Sequence, residues 1–229
     1  MENHPTRVHY DNPKMYRWKS WEKGTPFAPS FDVPVYIDSI DVEGLEDLLA
    51  SRVPSRNAKE NHLEWTTYNI FDWDEEIIKS LANQIYSSYV EYINELSYDV
   101  IPKDKLWIRG WGVRIDPDDN LIHHSHAFHE NAYLSGNISV SDLDTTTDYF
   151  FPYLSWYFDY WKVKNVPGKM VLFPSWFEHK VDKNTTGQVR FSLGFDMFTE
   201  QSISYIRENR NENSETQNIL LLSKQFSAI

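Results

Sequence analysis

The 229-residue chain contains no cysteine. That excludes a disulfide framework, a thiolate zinc site, an iron–sulfur cluster and a cysteine nucleophile. Any metal held here must be held by nitrogen and oxygen. No apolar run approaches the ~20 residues that a membrane-spanning helix needs. The N-terminal stretch MENHPTRVHYDNPKMYRWKSW lacks the apolar core of a secretory signal. These absences together point to the cytoplasm, and they make the two sequons, Asn137-Ile-Ser139 and Asn184-Thr-Thr186, chance matches. Positive charge is also scarce. Twenty-two Lys and Arg against 34 Asp and Glu leave a net charge of −12, which argues against unaided binding of nucleic acid or anionic membrane.

What is present is an ordinary globular balance, 41% apolar and 24% charged, so collagen-like and disordered classes are excluded for most of the chain. The aromatic content of 16% is the unusual number. The length suits one domain over 1–229. Residues 1–35, rich in Pro, Trp, Tyr and charge, read as an extended arm. Its cations (Arg7, Lys14, Arg17, Lys19 and Lys23) also allow a partner-binding role. Residues 36–104 read as a helical buttress with edge strands. A strand is expected at 33–40, then a helix capped by Asp41 with Val42, Leu45, Leu48 and Leu49 on one face and ended by Pro54. A longer helix is expected over about 73–97. There Asp72 and Glu75 resemble a capping box, and Ile78, Leu81, Ala82, Ile85, Tyr89, Ile93 and Leu96 form one apolar stripe. Beyond Pro102, β-type segments at 106–115, 121–126, 132–140, 169–173 and 188–198 alternate with turn residues, so 105–199 reads as a barrel or sandwich core. Residues 200–229 form a polar tail whose Ile-Leu-Leu-Leu stretch could dock on the body.

Four of the eight histidines lie in one heptapeptide, His123 to His129. Alternate residues of a strand share a face, so His124 and His126 would project together, as a metal requires of one strand. A third ligand must come from elsewhere, and His179 is the remaining histidine of the β-rich half. Imidazole without thiolate suits Fe, Mn, Cu, Ni or Zn. Arg190 and Ser192 alternate onto one face of the last strand, a pairing suited to carboxylate capture. The plain alternatives are a metal-free surface cluster for the histidines and a surface ion pair for Arg190.

The order His124-Ser-His126, Leu134-Ser-Gly136, Phe173-Pro-Ser-Trp176 with His179, and Arg190-Phe-Ser192 resembles the 2-oxoglutarate/Fe(II)-dependent oxygenases. It resembles most closely a family of such oxygenases found in phages and bacteria. The similarity runs over roughly 107–198, and the Phe-Pro-Ser-Trp…His…Arg-x-Ser part is its specific portion. The resemblance implies a mainly β fold, a double-stranded β-helix (jelly roll) with two N-terminal helices packed on one sheet. It implies Fe(II) held by His124, His126 and His179, and 2-oxoglutarate as cosubstrate with its distal carboxylate on Arg190 and Ser192. It also implies a hydroxylase or dioxygenase activity coupled to decarboxylation of 2-oxoglutarate. If the chain is phage-encoded, its compartment is the host cytoplasm. The substrate, small or macromolecular, is set by no motif, and a homo-oligomer is compatible with the sequence.

Two departures are visible. His126 stands where most of the superfamily carries Asp or Glu. After Ser135-Gly136, Asn137-Ile-Ser139 replaces the usual aromatic. Two other readings stay open. His124-x-His126-x3-Glu130 with Gly168-x5-Pro174 and His179 is close to the cupin pattern of three His and one Glu, with His129 or Glu130 as a further ligand. The block Tyr149–Trp161, mostly aromatic, would also suit a non-catalytic β-sandwich binding module, or a wall over the substrate site.

Overall fold

The computed structural model describes residues 7–9, 14–19, 25–27, 32–55, 68–126, 133–150, 161–208 and 222–229. Among these residues, twelve strands make two sheets. In chain order they are β1 (Arg7–His9), β2 (Met15–Lys19), β3 (Asp32–Ser39), β4 (Leu106–Ile115), β5 (Leu121–His124), β6 (Leu134–Ser139), β7 (Thr146–Phe150), β8 (Trp161–Lys164), β9 (Lys169–Pro174), β10 (Glu178–Val181), β11 (Arg190–Thr199) and β12 (Lys224–Gln225). The larger sheet has the order β1-β2-β3-β9-β6-β11-β4-β12 and the smaller β5-β10-β7-β8. Every pairing is antiparallel. This is the mainly β, jelly-roll arrangement expected from the motifs. The N-terminal segment does more than lie on the body, because β1 and β2 extend the larger sheet beyond β3.

Alternation along the strands sorts two interiors. On β9, Met170 and Leu172 join the cluster that packs the helices, while Val171 and Phe173 join a second cluster with Trp18, Tyr149, Val163 and Phe177 between the sheets. On β11, Phe191, Leu193, Phe195 and Met197 face the helices. The opposite face of that strand therefore carries Arg190, Ser192, Gly194 and Asp196, a polar row turned into the gap between the sheets.

Helices α1 (Leu45–Arg52) and α2 (Glu76–Glu95) cover the outer face of the larger sheet. The α2 stripe is buried as expected, and Tyr92 adds a hydrogen bond from its hydroxyl to the Pro34 carbonyl at 2.9 Å. Both helix starts differ from the sequence reading. Asp41 does not cap α1; its side chain accepts from the Glu43 amide at 3.0 Å. The helix begins after Gly44, whose φ of 78° lies in the left-handed region open to glycine. Asp72 does not cap α2 either. It ends a 3-10 turn, Ile70–Asp72, opened by Asn69, and Glu75 occupies the N-cap of α2 without a side-chain bond. A third helix, α3 (Glu200–Glu208), occupies the start of the expected polar tail. The arm's cations are partly spent within the fold, since Lys14 pairs with Asp38 and Glu91, and Arg17 with Asp32. Among the described residues no helix is long and apolar enough to cross a membrane.

Candidate metal and cosubstrate site

Strand β5 enters the smaller sheet beside β10, with His124 opposite His179. The next pair is Val181 opposite Leu121, so β5 carries one residue more than β10 across the same span, a bulge at its middle. Bulges re-aim side chains, and here the histidine run divides. His123 points outward to Glu178, at 3.0 Å, and lies against the Phe150 ring. His124 and His126 turn inward. The strand stops at His124, so His126 is not an alternate strand residue as the pattern suggested. Its amide instead donates to the Ser175 carbonyl at 2.8 Å, in the connection that leads from β9 of the larger sheet to β10 of the smaller. The two rings still meet, with centroids 5.2 Å apart. Each also meets His179, at 4.4 Å from His124 and 5.0 Å from His126.

Ligand-capable atoms of His124, His126 and His179 lie within 4.8 Å of one another. The hydrogen bonds decide which nitrogens these can be. The Nδ1 of His124 contacts the Ile122 carbonyl at 2.8 Å, and that of His179 the Phe177 carbonyl at 3.3 Å. The Nδ1 of His126 contacts Oδ1 of Asp196 at 2.7 Å. Carbonyls accept only, so Nδ1 carries the proton and Nε2 keeps its lone pair. Three imidazoles converging from three chain positions could hold a metal ion. Burial lowers the pKa of His124. It lowers that of His179 further, to well below the ordinary range, with His126 and His124 adding repulsion. Both rings are then neutral, the form a metal binds.

Phe173, Tyr149 and Trp111 wall the cluster, with ring centroids 5.1 Å and 5.7 Å from His179 for the first two and 5.3 Å from His126 for the third. The backbone makes room for them. Gly194 sits under the Trp111 ring, and a Cβ there would meet Trp111 Cε2 at 2.8 Å. At Gly136 a Cβ would run into the Phe195 ring. The Ser-Gly motif thus has two parts. Gly136 admits Phe195, and Ser135 donates to Asp196 at 2.6 Å while lying 2.9 Å from the Ser175 hydroxyl.

Arg190 and Ser192 are buried on the inner face of β11. Arg190 is 4% exposed and its Nη1 has no hydrogen-bond partner. Burial pulls its pKa down to about 10, which leaves it cationic at neutral pH. A buried donor without a partner is costly, so this guanidinium could take an anion there. The charge of Arg190 is felt at Tyr149, whose ring also reaches His179, so Tyr149 links anchor and metal cluster. Asn137 donates to the Tyr149 hydroxyl at 2.6 Å, which leaves that hydroxyl's own proton to donate. Burial pushes the Tyr149 pKa up and keeps it a phenol.

The donor set fits Fe(II) with a dicarboxylate: three imidazoles at one end and, at the other, a buried guanidinium with an unpartnered Nη1. Sequence reasoning placed these three histidines, Arg190 and Ser192, and the structure brings the histidines together. It missed Asp196, and it named Tyr149 only as the start of a possible aromatic wall and Asn137 only as a departure from the usual aromatic. Asp196 was within reach, since it lies on the same alternation as Arg190 and Ser192. Tyr149 and Asn137 belong together only through the sheet. His129 and Glu130, with most of the aromatic block, lie outside the described residues. The two sequon asparagines are both engaged. Asn137 holds Tyr149, and Asn184 is buried with its side chain bonded to the Ile115 and Gln188 carbonyls.

Residues 152–196, about a fifth of the chain, match the family described as "Putative 2OG-Fe(II) oxygenase". No curated protein matches the sequence. Among solved structures, the chain is similar to the non-heme alpha-ketoglutarate-dependent epimerase SnoN from nogalamycin biosynthesis. That match has 13% identity and a TM-score of 0.51, and it covers 72% of this chain and 78% of that one. It is also similar to HygX from Streptomyces hygroscopicus, solved with iron bound, at 14% identity and a TM-score of 0.47, covering 72% and 82%. A Pseudomonas putida prolyl-4-hydroxylase matches at 15% identity and a TM-score of 0.43, covering 55% and 68%. At these identities the SnoN likeness speaks for the fold. The family match speaks for chemistry, since it spans Pro174, Ser175, Trp176, His179, Arg190 and Ser192, and that family implies Fe(II) and 2-oxoglutarate. Residues 152–196 are thus similar to the 2-oxoglutarate/Fe(II) oxygenases, and the chain shares a fold with one such solved enzyme.

Proposed function

We propose that the chain is a 2-oxoglutarate- and Fe(II)-dependent oxygenase in which His124, His126 and His179 hold the Fe(II), and Arg190, assisted by Ser192, takes the distal carboxylate of 2-oxoglutarate. The convergence of three imidazoles, each with Nδ1 engaged and Nε2 free, carries this reading. Bound Fe(II) with 2-oxoglutarate and O2 supplies oxidative decarboxylation to succinate and CO2, coupled to oxidation of the substrate.

The chain's own residues position and exclude. Arg190 offers two parallel N–H donors to a carboxylate, which fixes the cosubstrate's direction as well as its presence. Tyr149, pinned by Asn137, offers its hydroxyl proton between anchor and metal. Phe173, Phe177 and Trp111 keep water from the ring cluster, which strengthens every charge interaction inside it and limits side reactions. His124 is the least buried of the three histidines, so substrate and O2 enter on its side.

Untagged protein should bind one Fe(II) and release succinate from 2-oxoglutarate under O2, at least slowly without its substrate. Loss of one imidazole of three in His179→Ala should abolish stable iron binding. Stoichiometric Fe(II) retention by that variant would refute the assignment.

A further inference from the structure

Two of the three candidate ligands donate from Nδ1 to neutral backbone carbonyls. His126 alone donates to a carboxylate, Asp196, at 2.7 Å. Asp196 is 1% exposed and stands on the polar row of β11, six residues beyond Arg190. Its surroundings are built around it. Ser135 on β6 donates to the same oxygen at 2.6 Å. Arg109, its cross-strand partner on β4, is fully buried, and the Asp196 charge supports the Arg109 guanidinium against the burial that lowers it. Ser175 closes the arrangement, lying 2.9 Å from the Ser135 hydroxyl and accepting the His126 amide. Strands β11 and β6 of the larger sheet therefore hold one carboxylate against one imidazole that belongs to neither sheet.

A site of three neutral imidazoles leaves a divalent ion's charge uncompensated, whereas a two-His, one-carboxylate triad offsets part of it by direct ligation. A carboxylate bonded to the far nitrogen of a ligand histidine fixes its tautomer and orientation and makes the ligating nitrogen more basic. Resting on the iron reading above, we propose that Asp196 is the carboxylate of this metal site. It acts through His126 instead of touching the ion, and Ser135 holds it in place. Asp196 is thus a positioning residue, and the Ser-Gly and Pro-Ser motifs act at the metal through it.

The test uses the full chain loaded anaerobically with Co(II), whose visible spectrum reports ligand field directly. Wild type should bind one equivalent. Asp196→Asn keeps an oxygen for His126 and Ser135 but removes the charge. It should weaken Co(II) binding by about 10- to 100-fold, shift the d–d bands, and raise the Fe(III)/Fe(II) midpoint potential. Ser135→Ala leaves the His126–Asp196 contact but removes a donor that holds the carboxylate, so it should weaken Co(II) binding by less than Asp196→Asn does. Wild-type binding with an Asp196→Asn variant of equal affinity and unchanged spectrum overturns this proposal alone. A wild type that takes no Co(II) overturns the iron reading, and this one with it. Should Asp196→Asn not fold, the wild type loaded with Zn(II) decides by imidazole proton resonances. The His126 Nδ1–H should lie well downfield of those of His124 and His179, and three alike overturn the proposal.

Discussion

At the scale of single residues, the site is defined by what its polar atoms lack as much as by what they touch. Arg190 is the clearest case, a guanidinium 4% exposed with a nitrogen left unpaired. Arg190→Met keeps most of the bulk and removes the charge. It should cost 2-oxoglutarate binding about 10- to 100-fold, the worth of a charge-assisted hydrogen-bond pair. Metal affinity should be unchanged, and folding stability equal or higher, because an unpaired buried cation has gone. Titration of 2-oxoglutarate into anaerobic metal-loaded protein measures this, and equal affinity for both proteins would put the anchor elsewhere. The histidines make the complementary point. Spacing alone singled out His124 and His126, but it put them on one strand face. The bulge and the early end of β5 show that His126 reaches the cluster by crossing to Ser175. Such a route has no period to read.

At the scale of elements, the loops that tie strands together carry much of the precision. The turn after β4 and the connection from β10 to β11 are bolted to each other. The Asp118 amide donates to the Asn184 carbonyl, and the Asn184 amide to that of Asp119, both at 2.8 Å. The Asn184 side chain adds bonds to the Ile115 and Gln188 carbonyls at 3.1 and 2.7 Å. This bolt sits between the end of β10, which carries His179, and the start of β11, which carries Arg190. Asn184→Ala would leave two carbonyls without their donor and should destabilise the fold by about 1–3 kcal/mol. Urea unfolding at neutral pH checks the figure, and a midpoint equal to wild type would show that water replaces the side chain. The helices were legible at this scale, since the seven-residue stripe of α2 is a periodicity no strand can mimic. Their starts were not. Gly44 in a left-handed conformation and the Asn69 turn depend on contacts with the sheet. Asn69 bonds the Ile108 carbonyl and the Gly110 amide of β4, and these are forty residues away in sequence. The short strands β7, β8 and β10 carry too few residues to show an alternation.

At the scale of the whole molecule, the two ends of the chain close the larger sheet from opposite edges. The arm adds β1 and β2 on one side, and β12 adds to β4 on the other. The Leu222 carbonyl accepts from Asn69 at 2.8 Å, and Phe226 is buried in the helical core with its ring 5.7 Å from Tyr86. The expected docking stretch Ile219–Leu222 falls mostly outside the described residues; the docking seen is that of β12 and Phe226. Phe226→Ala should lower stability by about 3–5 kcal/mol, as for other buried aromatic truncations. Co(II) affinity should stay at its wild-type value, because this core lies on the far face of the larger sheet from the histidines. A variant that loses stability and metal affinity together would show that the two faces are coupled.

Composition and local pattern were enough to decide the chemistry of the ligands, the β-rich core and the helical cover. A cysteine-free chain with clustered histidines can only build a nitrogen and oxygen site, and periodicity reports which face of an element is apolar. Tertiary structure alone decided that the three rings converge, that Tyr149 meets His179, and that Asp196 backs His126. Each of these depends on a hydrogen bond or ring contact between segments distant in sequence. Such contacts are fixed by sheet register and by the way the sheets pack, and no local pattern encodes either.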